Sequence, residues 1–260
     1  MIVVTGTQRS GTSMWMHVLI AAGLPAIGEQ FPAGWGELLR AANPDGFFES
    51  ELMIGVNYRT NPHPLTGAYL APHQTREHAV KIFIPGLIRS DVAFLDRVVA
   101  TVRGWREYVA SIRRVGVAAA SLPPALEWWC NNFGLIRDLA IRGYPAHVVS
   151  YDSFVADPER VAAEVLGWIG RGDPAAAARV VRPGSREGSL ALSDAELADG
   201  VEARHLEVFD ELYATIDAGR PLTANFIDRL NAVDRALRPR VREHQAGVEA
   251  EMVADIFGRR

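Results

Sequence analysis

The first twenty-three residues constrain the fold more than any other stretch of this 260-residue chain. A short β-branched run, Ile2 to Val4, leads into a glycine-containing loop, and no helix breaker follows from Met14 to Ala22. A buried strand, a tight loop and a helix in this order bring backbone N–H groups and a helix N-terminus together, where an anion can bind. The pattern therefore predicts an α/β protein built around an anion-binding loop.

The loop departs from that of a nucleotide triphosphatase at one position. Gly6 and Gly11 meet the pattern G-x-x-x-x-G-K-[ST], but Thr12 stands where the lysine is expected. The one cation inside the loop is Arg9, and its neighbours carry hydroxyl groups. Such a loop suits a compact terminal phosphate better than a metal-bridged triphosphate.

Further strands are predicted from continuous apolar runs with charges only at their ends, which is typical of buried parallel strands. These runs cover residues 79–84, 97–103 and 146–150, and helices are predicted at 91–96, 105–115, 124–142 and 157–169. Strands that alternate with helices imply βαβ units with right-handed crossovers. We therefore predict a three-layer α/β fold like that of the P-loop NTPases, with a central parallel sheet and C-terminal helices.

Beyond Asp173 the sequence predicts helices and no further strands. Helices are predicted at 175–181, 194–218 and 221–236, the last of them resuming towards residue 257. We predict an α/β domain over residues 1–190, with residues 191–260 as a helical extension of the same domain. The last ~40 residues fit an appendage, a packing layer or an oligomerisation helix that would make the protein a homodimer.

Charge and composition limit the partners. The net charge is −4 and the pI is about 6.0, so we expect no nucleic-acid partner. No run approaches the ~20 apolar residues of a membrane span, so no integral membrane segment is expected. The single cysteine, Cys130, excludes an intramolecular disulfide and fits a cytoplasmic protein.

The segment from Thr7 to Ser13 reads T-Q-R-S-G-T-S and resembles the 5′-phosphosulfate-binding loop of the sulfotransferases, P-[RK]-S-G-T-[ST]. Gln8 replaces the usual proline, a variant familiar from bacterial members. The resemblance implies that 3′-phosphoadenosine 5′-phosphosulfate (PAPS) is the sulfonate donor and that no metal is required. The residues that it assigns to the phosphosulfate are Gln8, Arg9, Ser10, Gly11, Thr12 and Ser13.

A second resemblance concerns the 3′-phosphate of the donor. Arg103 ends a predicted strand and Ser111 lies eight residues on, in an arginine-rich helix. This is similar to the sulfotransferase 3′-phosphate site, where the guanidinium can contact the phosphate in a bidentate manner. Residues 182–188 resemble, more weakly, the R-K-G-x-x-G lid over that phosphate. Arg186 is the ligand that this lid would supply, and a plain turn between helices is the alternative.

A third resemblance lies at residues 81–85, K-I-F-I-P, which are similar to the K-T-H-L-P strand end of cytosolic sulfotransferases. Lys81 matches the lysine and would stabilise the sulfonate as charge develops on it. Phe83 stands where those enzymes have the histidine that acts as general base. Because an acceptor hydroxyl still has to lose its proton, another group must take it.

Two glutamates are the main candidates for this base. Bacterial carbohydrate and protein-tyrosine sulfotransferases carry a glutamate roughly twenty residues after the loop arginine, and Glu29 stands at that spacing. Glu49 ends the segment N-P-D-G-F-F-E, which resembles N-P-x-G-[YF]-[WF]-E of bacterial sulfotransferase-like proteins. Glu51, His17 and His63 are weaker candidates, and a site without a base is also open.

The expected activity is in-line transfer of the sulfonate group to a hydroxyl or amine of a small-molecule, glycan or lipid acceptor. Arg9 would polarise the bridge between phosphate and sulfate, and a glutamate would activate the acceptor. Two different functions stay open beside it. One is a P-loop nucleotide kinase-like phosphotransferase, which needs Mg²⁺ and normally the missing lysine. The second is a non-catalytic nucleotide-binding protein, which the missing histidine would fit.

Overall fold

The computed structural model describes residues 1–31, 43, 45–57, 59–61, 67–115, 122–181 and 192–257, and the side chains of these residues other than 115 and 248–257. Arg186 and His63 lie outside the described residues. The chain forms two compact units. The first comprises residues 1–103 and 134–187, and the second comprises residues 104–133 and 188–260.

The first unit contains a parallel sheet of five strands. In chain order they are β1 (Ile2–Gly6), β2 (Ala26–Ile27), β3 (Ala79–Lys81), β4 (Arg97–Val102) and β5 (Ala146–Ser150). Their order across the sheet is β2-β3-β1-β4-β5, and all neighbours pair in parallel. The predicted α/β fold with a central parallel sheet is therefore confirmed, with the predicted loop directly after its middle strand.

The helices follow the predicted alternation. They are α1 (Thr12–Ala21), α2 (Pro72–Thr75), α3 (Ile84–Arg89), α4 (Trp105–Val115), α5 (Pro124–Arg142), α6 (Tyr151–Ala156), α7 (Pro158–Ile169), α8 (Pro174–Arg179), α9 (Asp194–Leu197), α10 (Ala203–Asp217) and α11 (Ala224–Phe257). Short 3₁₀ turns occur at Glu51–Ile54 and Val92–Phe94. The bounds of α4, α5 and β5 agree with the sequence prediction.

Two predictions were wrong in detail. The strand predicted over residues 79–84 ends at Lys81, and Ile84 begins α3. Pro85 lies in the first turn of that helix, where the missing N–H of proline costs no hydrogen bond. The helix predicted over 194–218 is two helices, α9 and α10. Asp199 and Gly200, both with positive φ (50° and 74°), separate them because a left-handed residue ends an α-helix.

Apolar side chains on the two faces of the sheet build the three layers. Val4 and Val99 pack into one cluster with residues of α1, α7 and α8, whereas Val3 and Val98 pack into another with residues of α3 and α5. Successive side chains of a strand point to opposite faces. Lys81 and Thr101 therefore share the α1 face with Ala79 and Val99, which places polar groups beside the N-terminus of α1.

The second unit packs around aromatic side chains of its own helices. The Phe209 ring of α10 is parallel to the Trp129 ring of α5, with centroids 4.8 Å apart, and also contacts Trp105 and Trp128. Arg106 of α4 forms ion pairs with Asp194 and with Asp210 of α10. Aromatic stacking and ion pairs thus join the helices of this unit.

Candidate active site

The loop between β1 and α1 is tightly wound. Arg9 and Gly11 both have positive φ, 62° and 99°, and Gly11 is the N-cap residue of α1. The hydroxyl of Ser10 donates to the carbonyl of Thr7 at 2.7 Å. The first N–H groups of an α-helix have no acceptor within the helix. The loop therefore presents the N-terminus of α1 as a set of donors, as the sequence predicted.

Thr101 of β4 and Arg103, which follows β4, donate hydrogen bonds to the backbone of the loop. The hydroxyl of Thr101 donates to the Ser10 carbonyl at 2.8 Å, and Arg103 donates from Nη1 to the Arg9 carbonyl at 3.1 Å. Gly6 allows this approach, because a Cβ there would lie 2.6 Å from the Thr101 carbonyl and would also meet Ser10 Oγ. The two carbonyls thus point into the protein and fix the orientation of the loop.

Tyr151 is a neighbour of the loop that the sequence motifs did not reveal. It begins α6 directly after β5, and its buried ring lies 4.6 Å from the Arg103 guanidinium carbon. A Cβ on Gly11 would lie 3.0 Å from the same ring. One signal was available in the sequence, because residues that follow parallel strands meet at the carboxyl edge of the sheet, where α/β proteins bind ligands.

A buried ion pair lies beside the loop. The ammonium of Lys81 is 2.7 Å from Oε1 of Glu49, and these side chains are only 1% and 7% exposed. The same ammonium donates to Ser13 Oγ at 3.3 Å, and the rings of Phe47 and Phe83 lie within 5.9 Å and 5.3 Å of it. Burial lowers the pKa of Lys81, and the neighbouring Glu49 carboxylate opposes that shift.

The chain has 27 lysine and arginine residues, and Lys81 is the only lysine among them. Its resemblance to the family lysine singled it out in the sequence, and this count is a second, independent signal. A lone lysine among many arginines is informative because the two side chains are not interchangeable, and the ammonium is the compact point charge. Its side chain is almost completely buried at the end of β3.

The structure separates the two candidate glutamates. Their backbones form an antiparallel bridge in which the N–H of Glu29 donates to the carbonyl of Glu49 at 3.0 Å. The Glu29 side chain is exposed, whereas that of Glu49 is buried against Lys81. Glu51 is exposed and His17 is half-buried, with its ring edge-on to Phe48. The geometry favours Glu49, because its carboxylate lies at the loop.

The predicted 3′-phosphate ligands are distributed over both units. Arg103 is buried just after β4 in the first unit, and Ser111 is buried on α4 in the second. Arg186, the predicted lid ligand, belongs to a segment outside the described residues. Joint action of Arg103 and Ser111 on one phosphate stays a prediction.

No described group of three or more His, Cys, Asp or Glu side chains is placed to hold a metal ion. No helix in the described part of the chain is both long enough and apolar enough to span a bilayer.

No protein-family model and no curated protein matches the chain. Among solved structures, the chain is similar to the sulfotransferase domain of the Synechococcus PCC 7002 olefin synthase, with 14% sequence identity and a TM-score of 0.41. That similarity covers 91% of this chain and 94% of the neighbour.

Proposed function

We propose that the protein is a sulfotransferase that moves the sulfonate group of PAPS to a hydroxyl or amine of a small-molecule, glycan or lipid acceptor. The observation that carries this proposal is the buried Lys81–Glu49 pair, whose ammonium also contacts Ser13 at the end of the T-Q-R-S-G-T-S loop. Sulfonate transfer needs a cation near the sulfonate and a proton acceptor near the attacking atom. Lys81 and Glu49 would supply both beside one anion-binding loop.

The donor set of the loop fits a phosphosulfate. N–H groups at the N-terminus of the ten-residue helix α1, the hydroxyls of Thr12 and Ser13, and the half-buried Arg9 all favour an anion. Arg9, Lys81 and Arg103 carry three positive charges, whereas Glu49, which pairs with Lys81, carries one negative charge. We assign the phosphosulfate to Gln8–Ser13 and the 3′-phosphate to Arg103, together with Ser111.

The reaction would proceed by positioning and electrostatics. Glu49 would accept the proton of the acceptor hydroxyl while the oxygen of that hydroxyl forms its bond to sulfur. The bond from sulfur to the bridging oxygen breaks, and its electron pair stays on the phosphate that leaves. Arg9 and Lys81 would offset the negative charge that builds on the bridging and sulfonate oxygens.

Titration calorimetry with the product nucleotide, 3′-phosphoadenosine 5′-phosphate (PAP), and separately with ATP and Mg²⁺ tests the nucleotide assignment. We expect PAP to bind and Arg9→Ala to lower turnover by ~10²–10³-fold, as for the loss of a preorganised charge contact. Binding of ATP without binding of PAP would show a kinase-like protein instead. Binding of PAP without transfer of radiolabelled sulfonate to phenols, glycans or lipids would show a non-catalytic nucleotide-binding protein.

Matched carboxamide variants test the base. Glu49→Gln should lower kcat by ~10²–10⁴-fold, the usual range for loss of a general base, while PAP affinity is retained. Glu29→Gln changes an exposed neighbour in the same backbone bridge and should keep the parent kcat. The reverse result would assign the base to Glu29.

A further inference from the structure

The segment that carries Glu49 contains a residue with a strained backbone conformation, Phe48. Phe48 has φ = 53°, and a bulky L-residue in the left-handed region is a backbone outlier. Its side chain is nevertheless buried, with 9% of its surface exposed. Such strain persists only where the surrounding structure fixes it, and it clusters at functional sites. Phe48 immediately precedes Glu49, so the backbone conformation of Phe48 sets the direction in which the Glu49 side chain leaves the backbone.

Residues 28–30 hold this segment from one side. The N–H of Phe47 donates to the Gln30 carbonyl at 2.7 Å, and the N–H of Glu29 donates to the Glu49 carbonyl at 3.0 Å. Gly28 has φ = 135°, and a Cβ there would lie 2.8 Å from the Phe48 carbonyl oxygen. Hydrogen bonds thus fix the backbone on both sides of Phe48, at Phe47 and at Glu49. The change of chain direction between these two hydrogen bonds occurs at Phe48.

Helix α1 also contacts the segment. Ser13 and His17 are one helical turn apart and share a face of α1. The Ser13 hydroxyl lies 3.5 Å from the Phe47 carbonyl, and the His17 ring meets the Phe48 ring edge-on, with centroids 4.6 Å apart at 89°. The helix that begins at the anion-binding loop therefore also contacts the segment that carries Glu49.

We propose that His17 and Phe48 are positioning residues of the Lys81–Glu49 pair. Their ring contact joins the Glu49 segment to α1 and holds Phe48 in its left-handed conformation, which directs the carboxylate to Lys81. If the contact is lost, φ of Phe48 relaxes to an ordinary region and the Glu49 carboxylate moves away from the ammonium. The kinetic part of this inference rests on the proposed sulfotransferase function, whereas the geometric part does not.

The geometric part can be measured at Lys81 alone, because the chain has no second lysine. Isotope-labelled lysine gives one side-chain NMR signal, and reductive methylation of that side chain gives one modified peptide. In Phe48→Ala and His17→Ala we expect the signal to shift and methylation to be faster by about tenfold or more, as the buried amine becomes accessible. His17→Phe, which keeps a ring against Phe48, should resemble the parent protein.

Phe94→Ala is the matched control. Phe94 is also a buried phenylalanine, with 4% of its surface exposed, and it belongs to the apolar cluster on the opposite face of the sheet. This variant should lower Tm without changing the lysine signal. An unchanged signal in Phe48→Ala, or an equal change in Phe94→Ala, overturns the inference whatever the activity.

Kinetics then test the consequence. Phe48→Ala and His17→Ala should lower kcat by about 10²-fold, which is the effect of a misplacement of about 1 Å at a reacting group. The affinity for PAP and the KM for PAPS should stay within about threefold of the parent, and His17→Phe should recover most of the kcat. A fall in PAP affinity that matches the fall in kcat overturns the positioning role. If the parent protein does not bind PAP, the proposed function fails, and the lysine measurement still decides the inference.

Discussion

The ammonium of Lys81 lies 2.7 Å from Oε1 of Glu49, and almost no solvent reaches either side chain. A buried ion pair is a poor source of stability, because removal of two charges from water costs about as much as their attraction returns. Under the proposed function, the pair next to Ser13 has a catalytic task instead. It keeps a cation and a carboxylate beside the loop between β1 and α1.

The first prediction concerns the stability of this pair. Lys81→Met leaves the buried Glu49 carboxylate without its cation and should lower the free energy of unfolding by about 3–5 kcal/mol. The double variant Lys81→Met/Glu49→Leu should recover most of that loss, because both charges are gone. Urea unfolding measures both effects. The control is Arg204→Met, which removes an exposed pair with Glu202 and should cost about 0–1 kcal/mol. Equal losses of unfolding free energy in Lys81→Met and Arg204→Met would contradict the prediction.

The second prediction concerns the anchor of the loop. Thr101→Val keeps the shape of the side chain but removes the donor to the Ser10 carbonyl, and this should destabilise the fold by about 1–3 kcal/mol. The affinity for PAP should fall as the loop loosens. Thr5→Val is the matched control, because the buried Thr5 hydroxyl has no hydrogen-bond partner within the described residues. Thr5→Val should leave stability and affinity unchanged or improved, and a similar loss in both variants would refute the anchoring role.

The third prediction concerns Arg142 at the end of α5. Its guanidinium donates to the carbonyls of Leu87 and Ser90 at 2.8 Å and 2.7 Å and pairs with the buried Asp138. Arg142→Ala should therefore cost about 3–5 kcal/mol, because it leaves the buried Asp138 carboxylate without its cation, although the Tyr144 hydroxyl still donates to it, and removes two donors from the carbonyls at the end of α3. Arg142→Lys should recover little, since one ammonium cannot span all these acceptors.

Chemical denaturation of Arg89→Ala provides the comparison for Arg142. Arg89 is an exposed arginine in the last turn of α3, and its loss should change stability by no more than about 0.5 kcal/mol. An Arg142→Lys variant as stable as the parent would show that the bidentate geometry is unimportant.

The fourth prediction concerns pH and Cys130. Burial raises the pKa of its thiol from 9.0 to about 11, and the nearby carboxylates of Asp234 and Glu127 add to the shift. The unfolded chain therefore loses this proton at lower pH than the folded protein. Between pH 9 and pH 11 stability should fall by up to about 1.4 kcal/mol per pH unit, and below this range the contribution should be constant.

Cys130→Ser tests this slope, since it removes the thiol and should flatten the dependence of the unfolding free energy on pH in that window. At about pH 8 the parent thiol should react with a disulfide reagent about 10²-fold more slowly than a small thiol does, because so little thiolate is present. A reaction at the rate of a free thiol would show that the half-buried Cys130 thiol does not have a raised pKa.

Local sequence patterns predicted most of the first unit. The β1–loop–α1 unit, β4, β5 and α5 have strong signals, because each is a continuous apolar run or a long periodic segment bounded by a breaker. The two-residue strand β2 is too short to give a pattern. The start of α3 was missed for a different reason, since the apolar run Ile82–Phe83 continues directly into Ile84 and no turn residue separates β3 from α3.

The site was predicted unevenly. The loop residues and Lys81 could be proposed from contiguous motifs, because a loop between a strand and the next helix is a local structure. Tyr151 was missed, because it meets Gly11 only after β5 has been placed two strands away from β1. Glu29 and Glu49 stayed equivalent in the sequence, since each follows a recognisable spacing.

The sequence by itself determined the order of strands and helices and the glycine-containing loop between β1 and α1, because propensity, hydrophobic periodicity and glycine conformation act over a few residues. Only the tertiary structure decided which glutamate meets Lys81. That choice depends on the antiparallel bridge between Glu29 and Glu49, on the left-handed turn at Phe48 and on the placement of β3 beside β1. Contacts between residues far apart in the chain fix all three, and burial of the resulting charge pair makes the choice energetically important.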